Sequence, residues 1–187
     1  MKLHRDIKLF SDTLRAASQR MNIKPEFVEK DYWITLVLSH LAKSKYAEAS
    51  VFKGGTSLSK GFNLIERFST DVDIAIINDT NKTGNEVKTI IRSIEKTITG
   101  ELKEIQMETV TSKGSRFRKS VFEYTSTDKN NSDNKLIVEV NSFANPFPFQ
   151  KRTIKSFVFD FLTETGNEKY ISRYSLEPFE VNVLNKE

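Results

Sequence analysis

A chain of 187 residues has room for one domain with a sizeable core, or one domain with an appendage, so a single active site is expected. With 37% hydrophobic residues, 29% charged residues and 14 Phe, it is polar for a globular protein but too aromatic for a disordered one. The absence of cysteine excludes disulfide scaffolds, Cys-ligated zinc and thiol nucleophiles, while a net charge of +4 favours anionic partners such as nucleotides or RNA without demanding them. No apolar run approaches the ~20 residues that span a bilayer. Lys2, His4, Arg5 and Asp6 stand where a signal peptide needs an apolar segment, so a cytoplasmic protein without membrane contact is expected. His4 and His40 read as surface or helix-packing residues rather than ligands.

In chain order, Ile7, Phe10, Leu14 and Ala17 recur at helical spacing within residues 4–20. Pro25 then stands where a first-turn proline opens a second helix over residues 26–41, with Phe27, Trp33, Ile34, Val37, Leu38 and Leu41 inward. The apolar stretch at 49–53 predicts a strand, the glycines after it a turn, and Leu58, Phe62 and Ile65 a helix over 56–66. Residues 71–77 alternate like a strand. Val87, Ile90, Ile91, Ile94 and Ile98 mark a helix over 86–99 that ends before Gly100. Strands are predicted over 102–110, 116–125 and 136–141 as antiparallel hairpins extending the sheet. The alternating Phe157, Phe159 and Phe161 predict another strand over 154–162, followed by a short helix over 167–174 and a final strand over 179–184.

Gly54 and Gly55 after a strand, with Thr56 and Ser57 opening a helix, place backbone N–H groups and the positive end of the helix dipole at one spot. Such a turn can hold a phosphate, although two glycines more often make only a turn with an N-cap. The spacing is not that of a P-loop. Asp71 and Asp73, at i and i+2 of a strand, point to one face and repel each other unless a cation joins them. Mg²⁺ or Mn²⁺ bound by these carboxylates and by substrate phosphates suits phosphoryl or nucleotidyl transfer. A bare Asp-x-Asp is usually a solvated strand face. Here it follows the glycine turn by one helix, which returns the chain to the same end of the sheet. Glu139, in Leu136-Ile137-Val138-Glu139-Val140, is the candidate third acid, as a ligand or as the base for an attacking hydroxyl, and reads equally well as a solvent-facing side chain.

Lys53, Lys60 and Arg67 lie near these motifs, and Lys113, Arg116, Arg118 and Lys119 form a later basic run. Arg67 can grip nucleotide phosphates and the later run an RNA backbone, with Phe117 and Phe122 beside it able either to stack bases or to serve the core. Solvated surface is the commoner fate of such charges.

The segments Phe52-Lys53-Gly54-Gly55-Thr56-Ser57-Leu58-Ser59-Lys60 and Ile65-Glu66-Arg67-Phe68-Ser69-Thr70-Asp71-Val72-Asp73-Ile74 closely resemble the AbiEii/AbiGii toxin family of nucleotidyltransferases. Glu29-Lys30-Asp31-Tyr32-Trp33 resembles that family's N-terminal helix signature; the likeness is dense over residues 25–77 and faint beyond. The resemblance implies the α/β (α+β) nucleotidyltransferase fold, a mixed, mainly antiparallel sheet flanked by helices. Residues 1–48 would be N-terminal helices packing on a core of 49–187, without the C-terminal helical region that the family normally adds. Asp71 and Asp73 would bind Mg²⁺ and the Gly54, Gly55, Thr56 and Ser57 turn would hold the triphosphate; Lys53 and Arg67, from the basic residues nearby, are the further nucleotide-binding candidates. The family is made up of the toxins of bacterial toxin–antitoxin or abortive-infection systems, which implies a cognate antitoxin, and some relatives add nucleotides to tRNA.

The leading expectation is therefore Mg²⁺-dependent nucleotidyl transfer from an NTP to an acceptor, RNA or tRNA before protein, with Asp71, Asp73 and Glu139 at the centre. The alternatives are a phosphotransferase on the same fold and an inactive nucleotide-binding module.

Overall fold

The computed structural model describes residues 1–62, 71–77, 82–128, 131 and 133–185. Helix α1 (Ile7–Met21) starts where Asp6 accepts the Leu9 N–H at 3.2 Å and stops where Asn22 turns left-handed at φ 54°. Phe10, Leu14 and Ala17 line its inner face as the spacing predicts, but Ile7 is 68% exposed and Leu3, before the helix, takes the inward position. Helix α2 (Pro25–Ala42) begins with its proline in the first turn, where a missing N–H costs nothing, and is buried along most of its length.

Strand β1 (Ser50–Lys53) runs directly into α3 (Gly54–Phe62), so both glycines belong to the first turn of the helix rather than to a loop before it. Strand β2 (Asp71–Ile76) follows, then α4 (Gly84–Ile98), fixed at its start by a reciprocal capping box between Thr83 and Glu86. The predicted strand over 102–110 shrinks to β3 (Lys103–Ile105), with a two-residue β4 (Ser112–Lys113) after it. Strands β5 (Phe117–Glu123) and β6 (Lys135–Asn141) match their patterns.

The sequence reading fails over 149–164. Strand β7 (Phe149–Ile154) lies where none is predicted, because an edge strand carrying Gln150, Lys151, Arg152 and Thr153 shows no apolar alternation. The segment predicted as a strand is instead helix α5 (Phe157–Glu164). Ser156 caps it by accepting the Phe159 N–H at 3.1 Å, and the buried pair is Val158 and Leu162 at i and i+4, a helical stripe that the alternating phenylalanines mask. Helix α6 (Lys169–Tyr174) and strand β8 (Phe179–Leu184) complete the chain as predicted.

The sheet order is β3-β5-β6-β2-β1-β8-β7, with β4 beside β5. The pairs β2–β6 and β1–β8 are parallel and the others antiparallel, giving the mixed, mainly antiparallel sheet expected. Strand alternation separates its faces. Val72, Ile74, Leu136, Val138 and Val140 point into one continuous core that also holds Phe10, Trp33, Leu38, Ile94 and Val183. Glu95 of α4 covers this face, bonding Arg118 and Ser120 of β5. Asp71, Asp73, Ile137 and Glu139 occupy the opposite face and are only partly buried.

The charged part of α2 is internal scaffolding. Glu29 accepts the Ser126 hydroxyl and the Thr127 N–H, each at 2.7 Å, and Lys30 bonds Asp133 at 2.7 Å, so both hold the β5–β6 connection. Asp31 pairs with Lys60 of α3 and accepts the Phe157 N–H at 2.9 Å, while Lys60 also reaches the Lys155 carbonyl at 3.1 Å. Three helices are thereby fixed to one another, and Lys60 is committed to structure rather than to phosphate.

Candidate active site

Register places four charges in one transverse row. Lys53 of β1 lies opposite Asp73 of β2, Asp73 opposite Glu139 of β6, and Glu139 opposite Lys119 of β5. The two acids of the row are thus flanked by two cations. Asp71 stands two residues before Asp73 on the same face, opposite Ile137. Glu139 is no solvated bystander: it accepts a hydrogen bond from Asn141 Nδ2 at 2.8 Å and adds to the repulsion at Asp73.

Burial pushes the Asp73 carboxyl above its usual range, the negative charges of Glu139 and Asp71 push it further, and Lys53 and Lys119 pull it back. A carboxylate held this way gains from a neighbouring cation. Among the described residues no three Asp, Glu or His side chains draw together into a ready-made cage. The donor set that Asp71 and Asp73 offer fits Mg²⁺ held by one or two carboxylates and completed by phosphate oxygens and water.

The glycine turn abuts this row. Gly54 has φ +77°, and a Cβ there would lie 2.2 Å from Asp73 Oδ2, so only glycine lets the start of α3 approach the carboxylate. The hydroxyls of Thr56 and Ser57 do not face outward: Thr56 donates to the Asp71 carbonyl at 2.5 Å, Ser57 donates to the Gly54 carbonyl at 2.8 Å, and both residues are 2% exposed. Thr56 ties the turn to β2. An anion at this turn would therefore meet the first N–H groups of α3 and its dipole, not those side chains.

Of the remaining candidates, Arg67 lies outside the described residues. Arg118 is held at 2.5 Å by Glu95 on the helix-covered face and is not available to an RNA backbone. Lys113 pairs with Glu104. Phe122 is a core residue at 4% exposure, whereas Phe117, on the face of the charged row, stacks on Phe143 with ring centroids 5.5 Å apart. Asn141 and Lys60 acquire their parts only through contacts that no local pattern announces.

A family model, the nucleotidyl transferase AbiEii toxin of type IV toxin–antitoxin systems, matches residues 36–187. The chain belongs to the AbiEii toxin family. This match extends through β6 and β8, well past the dense local likeness at 25–77. Comparison with curated proteins finds no match. Among solved structures, MenT4, a nucleotidyltransferase toxin from Mycobacterium tuberculosis, superposes with a TM-score of 0.51 at 16% identity, over 93% of this chain and 53% of that one. JHP933 from Helicobacter pylori gives a TM-score of 0.42 at 17% identity, over 64% of this chain and 45% of that one. The AbiEii chain thus has the nucleotidyltransferase fold and spans about half the length of the solved structures it matches. No described helix is long and apolar enough to cross a membrane.

Proposed function

We propose that this AbiEii-family chain transfers a nucleotidyl group from an NTP to a hydroxyl on RNA, with tRNA the first acceptor to test, and acts as the toxin of a toxin–antitoxin pair. The observation that carries the reading is the contact of the Gly54 turn with Asp73, which sets an anion-binding helix start against a carboxylate pair. The triphosphate would lie along the first turn of α3, with Lys53 beside Asp73 offsetting its charge. Asp71 and Asp73 would hold Mg²⁺, which when bound neutralises charge that develops on the phosphates.

The acceptor oxygen forms a bond to the α-phosphorus, the bond from that phosphorus to the bridging oxygen of the β-phosphate breaks, and pyrophosphate leaves. The acceptor proton passes to Glu139, whose carboxylate is oriented by Asn141.

The test is incubation of the protein with labelled NTPs, Mg²⁺ and total tRNA. Label should enter the RNA. Failure of transfer, or equal transfer by the Asp73→Ala variant, would contradict the proposal.

A further inference from the structure

The face of the sheet that holds the charged row also carries an aromatic pair that the chemistry above does not use. Phe117 lies opposite Asn141 and two residues before Lys119, so it shares the face of the charged row. Phe143 follows β6 and is 65% exposed, although phenylalanine is ordinarily withdrawn from water. The Ser142 N–H donates to the Arg116 carbonyl at 3.0 Å, which holds residue 143 beside residue 117, and the two rings stack at an interplanar angle of 25°. The pair is therefore a fixed apolar step, with the exposed Arg116 preceding it and Lys119 two residues along β5, opposite Glu139.

Its position relative to the phosphate turn gives it a direction. Within the sheet, β1 and the turn after it lie on one side of β2, whereas β6 and β5 lie on the other. In an in-line displacement the attacking oxygen arrives opposite the leaving group. With pyrophosphate at the turn, the acceptor comes across Glu139 and Lys119, from the side on which Phe143, after β6, stands one strand spacing and Phe117, on β5, two spacings or ~10 Å from β2.

We propose that Phe117 and Phe143 form a stacking platform for an unpaired base of a single-stranded nucleic-acid acceptor, adjacent to its reacting end, while Lys119 and Arg116 meet its backbone. The idea rests on nucleotidyl transfer as the function of the site. Aromatic faces stack on any base, and flanking cations attract the phosphates, so such a platform favours single-stranded acceptors without reading their sequence.

Anisotropy of a short fluorescent single-stranded RNA, with wild-type protein and without NTP, tests it. Phe143→Ala should weaken binding by about tenfold, Phe143→Trp should restore it, and Ile7→Ala, an equally exposed apolar residue on α1, should change nothing. A duplex RNA of the same length, which offers no unpaired base, should bind the wild type weakly and be indifferent to Phe143→Ala. Unchanged RNA affinity in Phe143→Ala overturns the proposal, including where the patch proves to bind a protein. So does a loss of affinity for a non-hydrolysable NTP in place of RNA, which would assign the rings to the nucleotide base. Binding is read without turnover. A chain that holds RNA through Phe143 yet transfers no label would refute the proposed activity and leave the platform standing.

Discussion

Gly54 stands so close to Asp73 that a methyl group on the glycine would lie 2.2 Å from the Oδ2 of the aspartate. The contact couples the backbone of the turn to the carboxylate that the proposed chemistry needs. Gly54→Ala must both adopt φ +77°, at a cost of about 1–3 kcal/mol for a residue with a side chain, and displace Asp73. The expected result is a folded protein of lowered Tm that has lost Mg²⁺-dependent NTP binding. Trp33 is the sole tryptophan and stacks on Tyr124 with centroids 5.3 Å apart, so its fluorescence reports unfolding. Calorimetry reads the nucleotide. Unaltered binding by the variant would show that the close approach has no functional part.

Glu139→Gln keeps the size of the side chain and its bond from Asn141 but removes the proton acceptor. We expect kcat to fall by about 10²- to 10⁴-fold with the KM for NTP nearly unchanged. A raised KM at retained kcat would place Glu139 in nucleotide binding instead.

Asp31 and Lys60 form an ion pair whose side chains are each 9% exposed, between α2 and α3. Lys60→Met leaves a buried carboxylate without its cation and should cost about 3–5 kcal/mol. Lys113→Met, which breaks the far more exposed pair with Glu104, should stay within about 1 kcal/mol of wild type. Denaturant unfolding of both variants checks the contrast, and similar losses would deny Lys60 its structural role.

His4 contacts Tyr32 Oη through Nδ1 at 2.8 Å and Glu101 through Nε2 at 3.0 Å. Burial lowers its pKa, an effect that outweighs the opposing pull of Glu101. The unfolded chain, with its histidine near the ordinary value of about 6.5, then binds more protons than the folded one in the interval below that value. Stability contributed by neutral His4 is complete above about pH 6.5 and is lost as pH falls through that interval. His4→Gln should flatten the dependence of Tm on pH over that range, and an unchanged slope would assign it to other groups.

The local layout of the candidate site was legible because its parts are consecutive. Strand, glycine turn, helix and Asp-x-Asp follow one another along residues 50–76, and local periodicity placed them. What joins Glu139 to Asp73 is a parallel pairing between strands whose registered residues lie far apart in the chain, so sequence offered Glu139 only as one of two readings. The hydroxyls of Thr56 and Ser57 look like phosphate ligands in one dimension, and only the backbone geometry shows where they donate. Arg118 was misjudged for the same reason: alternation along β5 turns it toward Glu95, and the sequence does not say which face of that strand the helices cover. Over 149–164, polar composition concealed an edge strand, and phenylalanine alternation imitated one.

The position of the transferred label tests the central claim most directly. Wild-type protein and Asp73→Ala are each incubated with Mg²⁺, tRNA and NTP labelled at either the α- or the γ-phosphate. Nucleotidyl transfer puts α-label on the RNA and releases the γ-label as pyrophosphate, with neither outcome in Asp73→Ala; γ-label on an acceptor, or equal α-transfer by the variant, would contradict the proposed function.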